Sequence, residues 1–161
     1  MTALEGYHVG ILVADMGQAA ERFSAILGVT FNPPTTLSGE CLGEDGRSPL
    51  ELTVTYSREG PIHYELLEAN EHDLYSISLG EGLHHIGLWC PDPRQELERL
   101  APLAVHPHVR LLGDGGETFA WYSHAREAHG VRLEFVDEQL RPGIEGLIAG
   151  LGFPEYELGS S

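Results

Sequence analysis

The chain has 161 residues, of which 25 are acidic and 9 are basic, so its formal charge is −16 when the nine histidines are counted as neutral. This length is typical of one domain, and an acidic chain without clustered basic residues excludes nucleic acid and membranes as expected partners. All nine basic residues are arginines, which excludes chemistry that needs a lysine Schiff base.

Cysteine content and hydropathy indicate a cytoplasmic protein. The two cysteines, Cys41 and Cys90, are far apart and match neither a disulfide framework nor a zinc ribbon, which is typical of a reducing compartment. The apolar stretches are much shorter than the roughly 20 residues that span a bilayer. No basic region precedes an apolar run at the N-terminus, so we expect no export signal.

The first predicted elements are a strand and a helix. Residues 9–14 are apolar and lead to Asp15, a residue type that favours a helix N-cap. Apolar residues then recur at helical spacing as far as Gly28, which predicts the helix end. The stretch 32–49 is rich in turn-forming residues and is predicted to be a loop. Further strands of this half are predicted at residues 29–31, 50–56 and 62–68.

The second half of the chain repeats the first. The sequence HVGILVAD at 8–15 reappears as HIGLWCPD at 85–92, with histidine, glycine and aspartate in register. The strand patterns IHYELLE at 62–68 and VRLEFVD at 131–137 each contain a glutamate. A helix is predicted after Asp92, with strands at 109–112, 118–123 and 131–136, a helical turn at 73–77 and a short helix at 141–150. We therefore divide one domain into a module at 1–69, a linker at 70–82, a module at 83–138 and an extension at 139–161.

Four side chains of these repeats predict a metal site. If the halves pack with pseudo-twofold symmetry, each contributes one histidine and one glutamate, namely His8, Glu65, His85 and Glu134. Two imidazoles and two carboxylates suit a divalent ion such as Ni, Co, Zn, Mn or Fe. A glutamate inside an apolar strand is costly unless it is paired or bound to a metal, which favours this hypothesis over a structural role.

Neighbouring residues carry weaker hypotheses. His63 and Arg132 lie two residues before the glutamates on the same strand faces, so they either line the pocket and orient the substrate or have a structural role. His84 precedes His85 on the opposite face of its strand and is predicted to point outward.

These motifs resemble the vicinal oxygen chelate superfamily, which includes glyoxalase I, methylmalonyl-CoA epimerase, extradiol dioxygenases and bleomycin-resistance proteins. The resemblance covers roughly residues 6–138. It depends on HVG at 8–10 with the helix that follows, YEL at 64–66, HHIG at 84–87 and GVRLE at 130–134. It implies an α+β fold in which paired βαβββ modules form curled mixed sheets around a central metal.

The order of the four ligands, His, Glu, His, Glu, is most similar to glyoxalase I. The resemblance implies a metal-dependent lyase, isomerase or epimerase that removes a proton next to a metal-bound carbonyl of a small substrate. Glu134 is then the first choice for the base and Glu65 the second. The methylmalonyl-CoA epimerases commonly have glutamine where this chain has Glu65. Relatives of this kind also imply a homodimer.

Two alternatives stay open. The same fold serves as a non-catalytic drug- or metabolite-binding protein of the bleomycin-resistance type. It also serves as an Fe(II) dioxygenase of the extradiol type, which here would use His8, His85 and Glu134, with Glu65 only hydrogen-bonded nearby. A fourth anionic ligand counts against the dioxygenase, because it occupies a coordination position that oxygen or substrate needs.

Overall fold

Two strand–helix–three-strand units follow one another along the chain, and a short helix follows the second. The computed structural model describes residues 2–151. The first unit comprises β1 (Glu5–Val13), α1 (Met16–Leu27), β2 (Thr35–Gly43), β3 (Gly46–Tyr56) and β4 (His63–Glu68). The second comprises β5 (Gly82–Cys90), α2 (Pro93–Leu100), β6 (Pro107–Leu112), β7 (Thr118–Ser123) and β8 (Leu133–Asp137), and is followed by α3 (Arg141–Ile148). The predicted α+β class with two βαβββ modules is confirmed.

The eight strands in the described part of the chain form a closed barrel in the order β1-β4-β3-β2-β6-β7-β8-β5. The two units meet at two antiparallel seams, β1 against β5 and β2 against β6. Within each unit the first strand pairs in parallel with the last, β1 with β4 and β5 with β8. Four adjacent strands, β4, β1, β5 and β8, therefore bring the histidines and glutamates of both repeats to one part of the barrel.

Both predicted helix starts are confirmed. The Asp15 carboxylate accepts a hydrogen bond from the backbone N–H of Gln18 at 2.9 Å, and the Asp92 carboxylate accepts one from that of Arg94 at 2.9 Å. Gly28 ends α1 with φ of 70°, a left-handed conformation that favours glycine. None of the helices described between residues 2 and 151 is long and apolar enough to cross a membrane.

The loop predicted at residues 32–49 is wrong. The structure places β2 and the start of β3 there, joined by a tight turn at Glu44 and Asp45. Most residues of β2 are exposed or half-buried, and Cys41 is its one buried residue, so the strand lacks the alternation of apolar residues that predicts one. The strand predicted at 29–31 is reduced to an isolated bridge between Phe31 and Ser57.

Apolar and aromatic side chains form the main core of the barrel, and α3 packs against this core. Ile144, Leu147 and Ile148 of α3 are buried in the cluster that includes Tyr56 of β3. The Asn32 amide donates hydrogen bonds to the carbonyl oxygens of Leu147 and Ile148 at 3.2 and 2.7 Å. The helix predicted at 141–150 is thus present and attached to the barrel, while residues 152–161 of the predicted extension lie outside the described residues.

Candidate metal centre

The four predicted ligands converge inside the barrel. His8, Glu65, His85 and Glu134 lie on β1, β4, β5 and β8, and each exposes 7% or less of its surface. The Nε2 atoms of the two histidines are 2.7 Å apart. Oε2 of Glu65 lies 3.2 Å from both of these nitrogens, and Oε2 of Glu134 lies 3.2 and 3.3 Å from them. Two residues of each half therefore share one buried centre.

The glycine of each repeat makes room for the histidine of the other. His8 is paired with Gly87 across the β1–β5 seam, and Gly10 is paired with His85. A Cβ atom at Gly87 would lie 1.9 Å from Cε1 of His8, and one at Gly10 would lie 2.1 Å from Cε1 of His85. The repeated His-x-Gly pattern is thus a packing requirement of the paired imidazoles.

The arrangement fits a divalent cation. Ligand atoms bound at 2.0–2.2 Å to a tetrahedral ion lie about 3.3 to 3.6 Å from one another. The nitrogen–oxygen distances here are 3.2 and 3.3 Å, and the two nitrogens lie closer together, at 2.7 Å. The ligand atoms of His8, Glu65 and His85 all lie within 4.8 Å of one another. Oε2 of Glu65 is buried and has no hydrogen-bond partner in the described chain. A bound cation would satisfy a buried oxygen of this kind.

The charges of the four groups support one another. Burial lowers the pKa of His8, but the carboxylates of Glu65 and Glu134 outweigh it and raise the pKa to about 9. Burial raises the pKa of the Glu134 carboxyl, but His85 and His8 outweigh it and hold the pKa at about 2. Burial also opposes ionisation of Glu65, whose pKa the two histidines nevertheless keep well below its usual range. Both carboxylates are therefore ionised at neutral pH.

Tyr56 is a site residue that the sequence patterns did not indicate. It is buried and pairs with Glu65 across the β3–β4 ladder. Its hydroxyl donates a hydrogen bond to Oε1 of Glu65 at 2.5 Å. The signal available in the sequence is a tyrosine in a predicted strand, since a buried tyrosine hydroxyl usually finds a polar partner.

The predicted outward orientation of His84 is wrong. Its side chain is buried, and its Nδ1 atom lies 2.9 Å from Nδ1 of His85. The reason is an irregularity in the β1–β5 ladder: Gly10 pairs with His85, whereas the next residue, Ile11, pairs with Leu83. His84 is therefore the extra residue of a β-bulge, where the alternation of strand faces is lost.

The two residues predicted to orient a substrate lie near the centre but outside the ligand group. Half-buried His63 pairs with His8 across the β1–β4 ladder, and its Nδ1 atom is 2.8 Å from the carbonyl oxygen of Ser57. Arg132 is also half-buried and donates a hydrogen bond from Nη1 to the carbonyl oxygen of His84 at 3.3 Å. Its Nε atom is buried and has no hydrogen-bond partner in the described chain.

Two cavities lie outside this centre. A groove of about 860 Å³ runs between α1 and the end of β1, and its lining includes Asp15, Arg22 and Glu81. A cavity of about 400 Å³ beside the β2–β3 turn is lined in part by His72 and His108. Neither is lined by any of the four predicted ligands.

Comparisons with known proteins agree with this architecture. A sequence model of the glyoxalase/bleomycin resistance protein/dioxygenase superfamily matches residues 7–107. An uncharacterized protein of Bacillus subtilis, YqjC, is 26% identical over 140 residues, which cover 81% of this chain and 89% of the relative.

Solved structures show the same fold. Methylmalonyl-CoA epimerase from Mycobacterium tuberculosis superposes with a TM-score of 0.61 at 20% identity, covering 88% of this chain and 97% of that one. The hypothetical protein BH1468 from Bacillus halodurans gives 0.60 at 20% identity, covering 85% and 96%. A single-residue variant of the Streptomyces coelicolor methylmalonyl-CoA epimerase, in complex with 2-nitronate-propionyl-CoA, gives 0.58 at 21% identity, covering 84% and 95%. The family match and the duplicated barrel establish that this chain belongs to the glyoxalase/bleomycin resistance protein/dioxygenase superfamily.

Proposed function

We propose that this protein is a metal-dependent isomerase, epimerase or lyase that removes a proton next to the carbonyl of a small substrate. The observation that supports the proposal is the buried group of two imidazoles and two carboxylates, one of each from each half of the barrel. A purely structural barrel gains little from burying two ionised carboxylates, because their desolvation is costly.

His8, Glu65, His85 and Glu134 would hold the cation, which we expect to be Ni, Co, Zn, Mn or Fe. When bound, a divalent ion acts as a Lewis acid that stabilises negative charge on a substrate oxygen. That assistance is needed, since a proton next to a carbonyl has a pKa about 15 units above that of a carboxylate, a gap of about 20 kcal/mol. The burial of these four side chains also limits competition from water.

Glu134 is the base that we propose. Both glutamates are ionised at neutral pH and can accept a proton, but their surroundings differ. Oε1 of Glu65 accepts the hydrogen bond from Tyr56, so this oxygen is committed to a neighbouring side chain. Within residues 2–151, no side chain holds Oε1 of Glu134 by a hydrogen bond. Glu134 is therefore the freer carboxylate, and Glu65 is the more firmly positioned ligand.

Arg132 and His63 are the proposed substrate-binding residues. The buried Nε atom of Arg132 lacks a partner in the described chain, and a guanidinium in that condition favours an anionic substrate group. The structural neighbours include a methylmalonyl-CoA epimerase in complex with methylmalonyl-CoA and NH4+, which supports an acyl compound as substrate. The cytoplasmic location and the homodimer stay predictions from the sequence.

Exchange of a substrate hydrogen with solvent tests this function. The protein, purified without a chelating column and then supplied with each metal in turn, is incubated in D2O with methylmalonyl-CoA or with the hemithioacetal of methylglyoxal and glutathione. NMR then follows loss of the proton next to the carbonyl. We expect metal-dependent exchange that EDTA abolishes and that Glu134→Gln reduces by at least about 100-fold, the lower range for loss of a general base.

The controls separate the alternatives. Glu117→Gln changes an exposed glutamate outside the ligand group and should leave exchange unchanged. Tight binding of either compound without exchange, indifferent to EDTA, would contradict the proposal and favour a binding protein. Oxygen uptake with catechols and ferrous iron would contradict it in favour of a dioxygenase.

A further inference from the structure

Two β-bulges lie at matching places in the two halves. Along the β1–β5 seam, Gly6 pairs with Leu88 and His8 with Gly87, so Tyr7 is the extra residue on β1. On β5 the extra residue is His84. Each bulge therefore turns inward the residue that directly precedes a predicted histidine ligand. Tyr7 uses this position to stack on Trp89, with ring centroids 3.8 Å apart.

His84 uses the same position for hydrogen bonds. Its Nε2 atom lies 2.6 Å from the carbonyl oxygen of Leu74. A carbonyl oxygen can only accept, so Nε2 of His84 carries a hydrogen. The remaining nitrogen, Nδ1, lies 2.9 Å from Nδ1 of His85, and two nitrogens at that distance share one hydrogen.

The shared hydrogen belongs to His85. If it belonged to His84, that ring would carry hydrogens on both nitrogens and would be a cation. The ring nitrogens of His84 contact a backbone carbonyl and another imidazole, and a buried cation without an anionic partner is costly. Nδ1 of His85 therefore donates to Nδ1 of His84, and Nε2 of His85, the atom beside both carboxylates, is the ring nitrogen that faces the centre.

We propose that His84 is a positioning residue, which accepts the Nδ1 hydrogen of His85 and so directs the Nε2 lone pair of His85 at the cation. This inference depends on the proposed metal centre. Histidine ligands of metals generally donate their second ring hydrogen to a fixed acceptor, and loss of that acceptor typically weakens metal binding. Here the acceptor is an imidazole whose own tautomer is fixed by the backbone of Leu74.

The contacts of His84 connect the segment between the two halves with the proposed metal centre. Leu74 and Tyr75 belong to a short 3-10 helix at Asp73–Tyr75. The ring of Tyr75 stacks on His84 with centroids 5.3 Å apart, and its hydroxyl donates to that of Tyr122 at 3.1 Å. The orientation of His84 is thus set by contacts from β7 and from the joining segment.

Of the two predicted histidine ligands, His85 has a hydrogen-bond partner at Nδ1 in the described chain and His8 does not. Nδ1 of His8 is buried and has no hydrogen-bond partner among the described residues. Its bulge neighbour Tyr7 contacts it edge to face, with ring centroids 4.3 Å apart. The duplicated centre is therefore asymmetric in its supporting hydrogen bonds, although its four ligands are symmetric.

Two substitutions at one position test the proposal. His84→Phe keeps a ring that can stack on Tyr75 but removes the acceptor. His84→Asn keeps an acceptor oxygen near the position of Nδ1. We expect the affinity for Zn²⁺, measured by calorimetry on the full chain, to fall by about 10- to 100-fold in His84→Phe and to recover substantially in His84→Asn. His106→Asn, at an exposed histidine, should leave the affinity unchanged.

A spectroscopic measurement on the unaltered protein tests the inference without depending on whether a variant folds. In the Zn²⁺-loaded protein, ¹⁵N NMR should show the Nδ1 hydrogen of His85 coupled across a hydrogen bond to Nδ1 of His84. Binding of Zn²⁺ through Nδ1 of His85, or equal affinity in folded His84→Phe, would overturn the inference while leaving the metal centre in place. Absence of Zn²⁺ binding by the unaltered protein would overturn both this inference and the proposed function.

Discussion

The imidazoles of His8 and His85 fit inside the barrel because the residue opposite each of them has no side chain. Their ring atoms occupy the space that a Cβ atom would need at Gly87 and Gly10. Either ring would have to move if its glycine were replaced, and it could move only into the packed centre or against the neighbouring strand. These two glycines therefore contribute to the proposed metal centre by leaving room for its imidazoles.

We expect Gly10→Ala and Gly87→Ala to destabilise the protein by about 1–3 kcal/mol, the usual cost of overpacking, and to weaken metal binding. Gly39→Ala is the matched control, since Gly39 also lies in a strand but a Cβ atom there would have nothing within 4 Å. Urea denaturation and calorimetry measure the two effects. Unchanged metal affinity in both alanine variants would show that the imidazoles do not need these gaps.

The Tyr56 hydroxyl is a second determinant of the ligand geometry, because it holds one oxygen of Glu65. Tyr56→Phe leaves that buried oxygen without its donor, so we expect a loss of about 1–3 kcal/mol in the free energy of unfolding and about 10- to 100-fold in metal affinity. Tyr64→Phe, at a half-buried position on the outer face of β4, is the control. Equal metal affinity in the Tyr56 and Tyr64 variants would argue against a positioning role for Tyr56.

Among the elements, α3 extends the apolar core beyond the two repeats. Its buried residues pack on the main cluster, and its last carbonyl groups are hydrogen-bonded by Asn32 of the first half. The helix thereby contributes to the same core as Tyr56, which in turn holds Glu65. We therefore expect the stability of α3 and the order of the proposed metal centre to be linked.

We expect Leu147→Ala to lower the free energy of unfolding by about 2–5 kcal/mol, as is usual when a buried leucine is truncated. Leu151→Ala removes the same atoms from a leucine that is 84% exposed and should change stability by less than about 0.5 kcal/mol. Urea denaturation of both variants measures the difference. Similar stability of the two variants would mean that α3 does not pack on the barrel in solution.

The candidate site could be predicted from the repeats. A histidine and a glutamate at matching positions of a duplicated unit come together if the two units pair. The geometry of β1, β4, β5 and β8 could be predicted for the same reason. Strand β2 could not, since its residues are largely exposed or half-buried and follow two prolines. Its pairing with β6 across the second seam is a tertiary effect that leaves no periodic pattern in the sequence.

The orientation of His84 was mispredicted for a different reason. Alternation of strand faces predicts that adjacent residues point in opposite directions, and a β-bulge breaks that rule at one position. The bulges at Tyr7 and His84 arise from the register between β1 and β5, which depends on how the halves pair. The hydrogen bond from Tyr56 to Glu65 likewise depends on the β3–β4 register.

Across the barrel as a whole, neither half contains the complete ligand group. The first supplies His8 and Glu65, the second supplies His85 and Glu134, and the β1–β5 seam brings the pairs into contact. A formal charge of −16 further favours the approach of a metal cation. Pairing of the halves and formation of the proposed metal centre are therefore one structural event.

An anomalous difference map from crystals of the protein, loaded with Ni²⁺, Co²⁺ or Zn²⁺ and measured at the absorption edge of that metal, tests the proposed metal centre most directly. We expect one strong peak per chain, within bonding distance of His8, Glu65, His85 and Glu134, and no such peak in a His8→Ala/His85→Ala double variant. A map without a peak between these four side chains, with the imidazoles and carboxylates hydrogen-bonded only to one another, would contradict it.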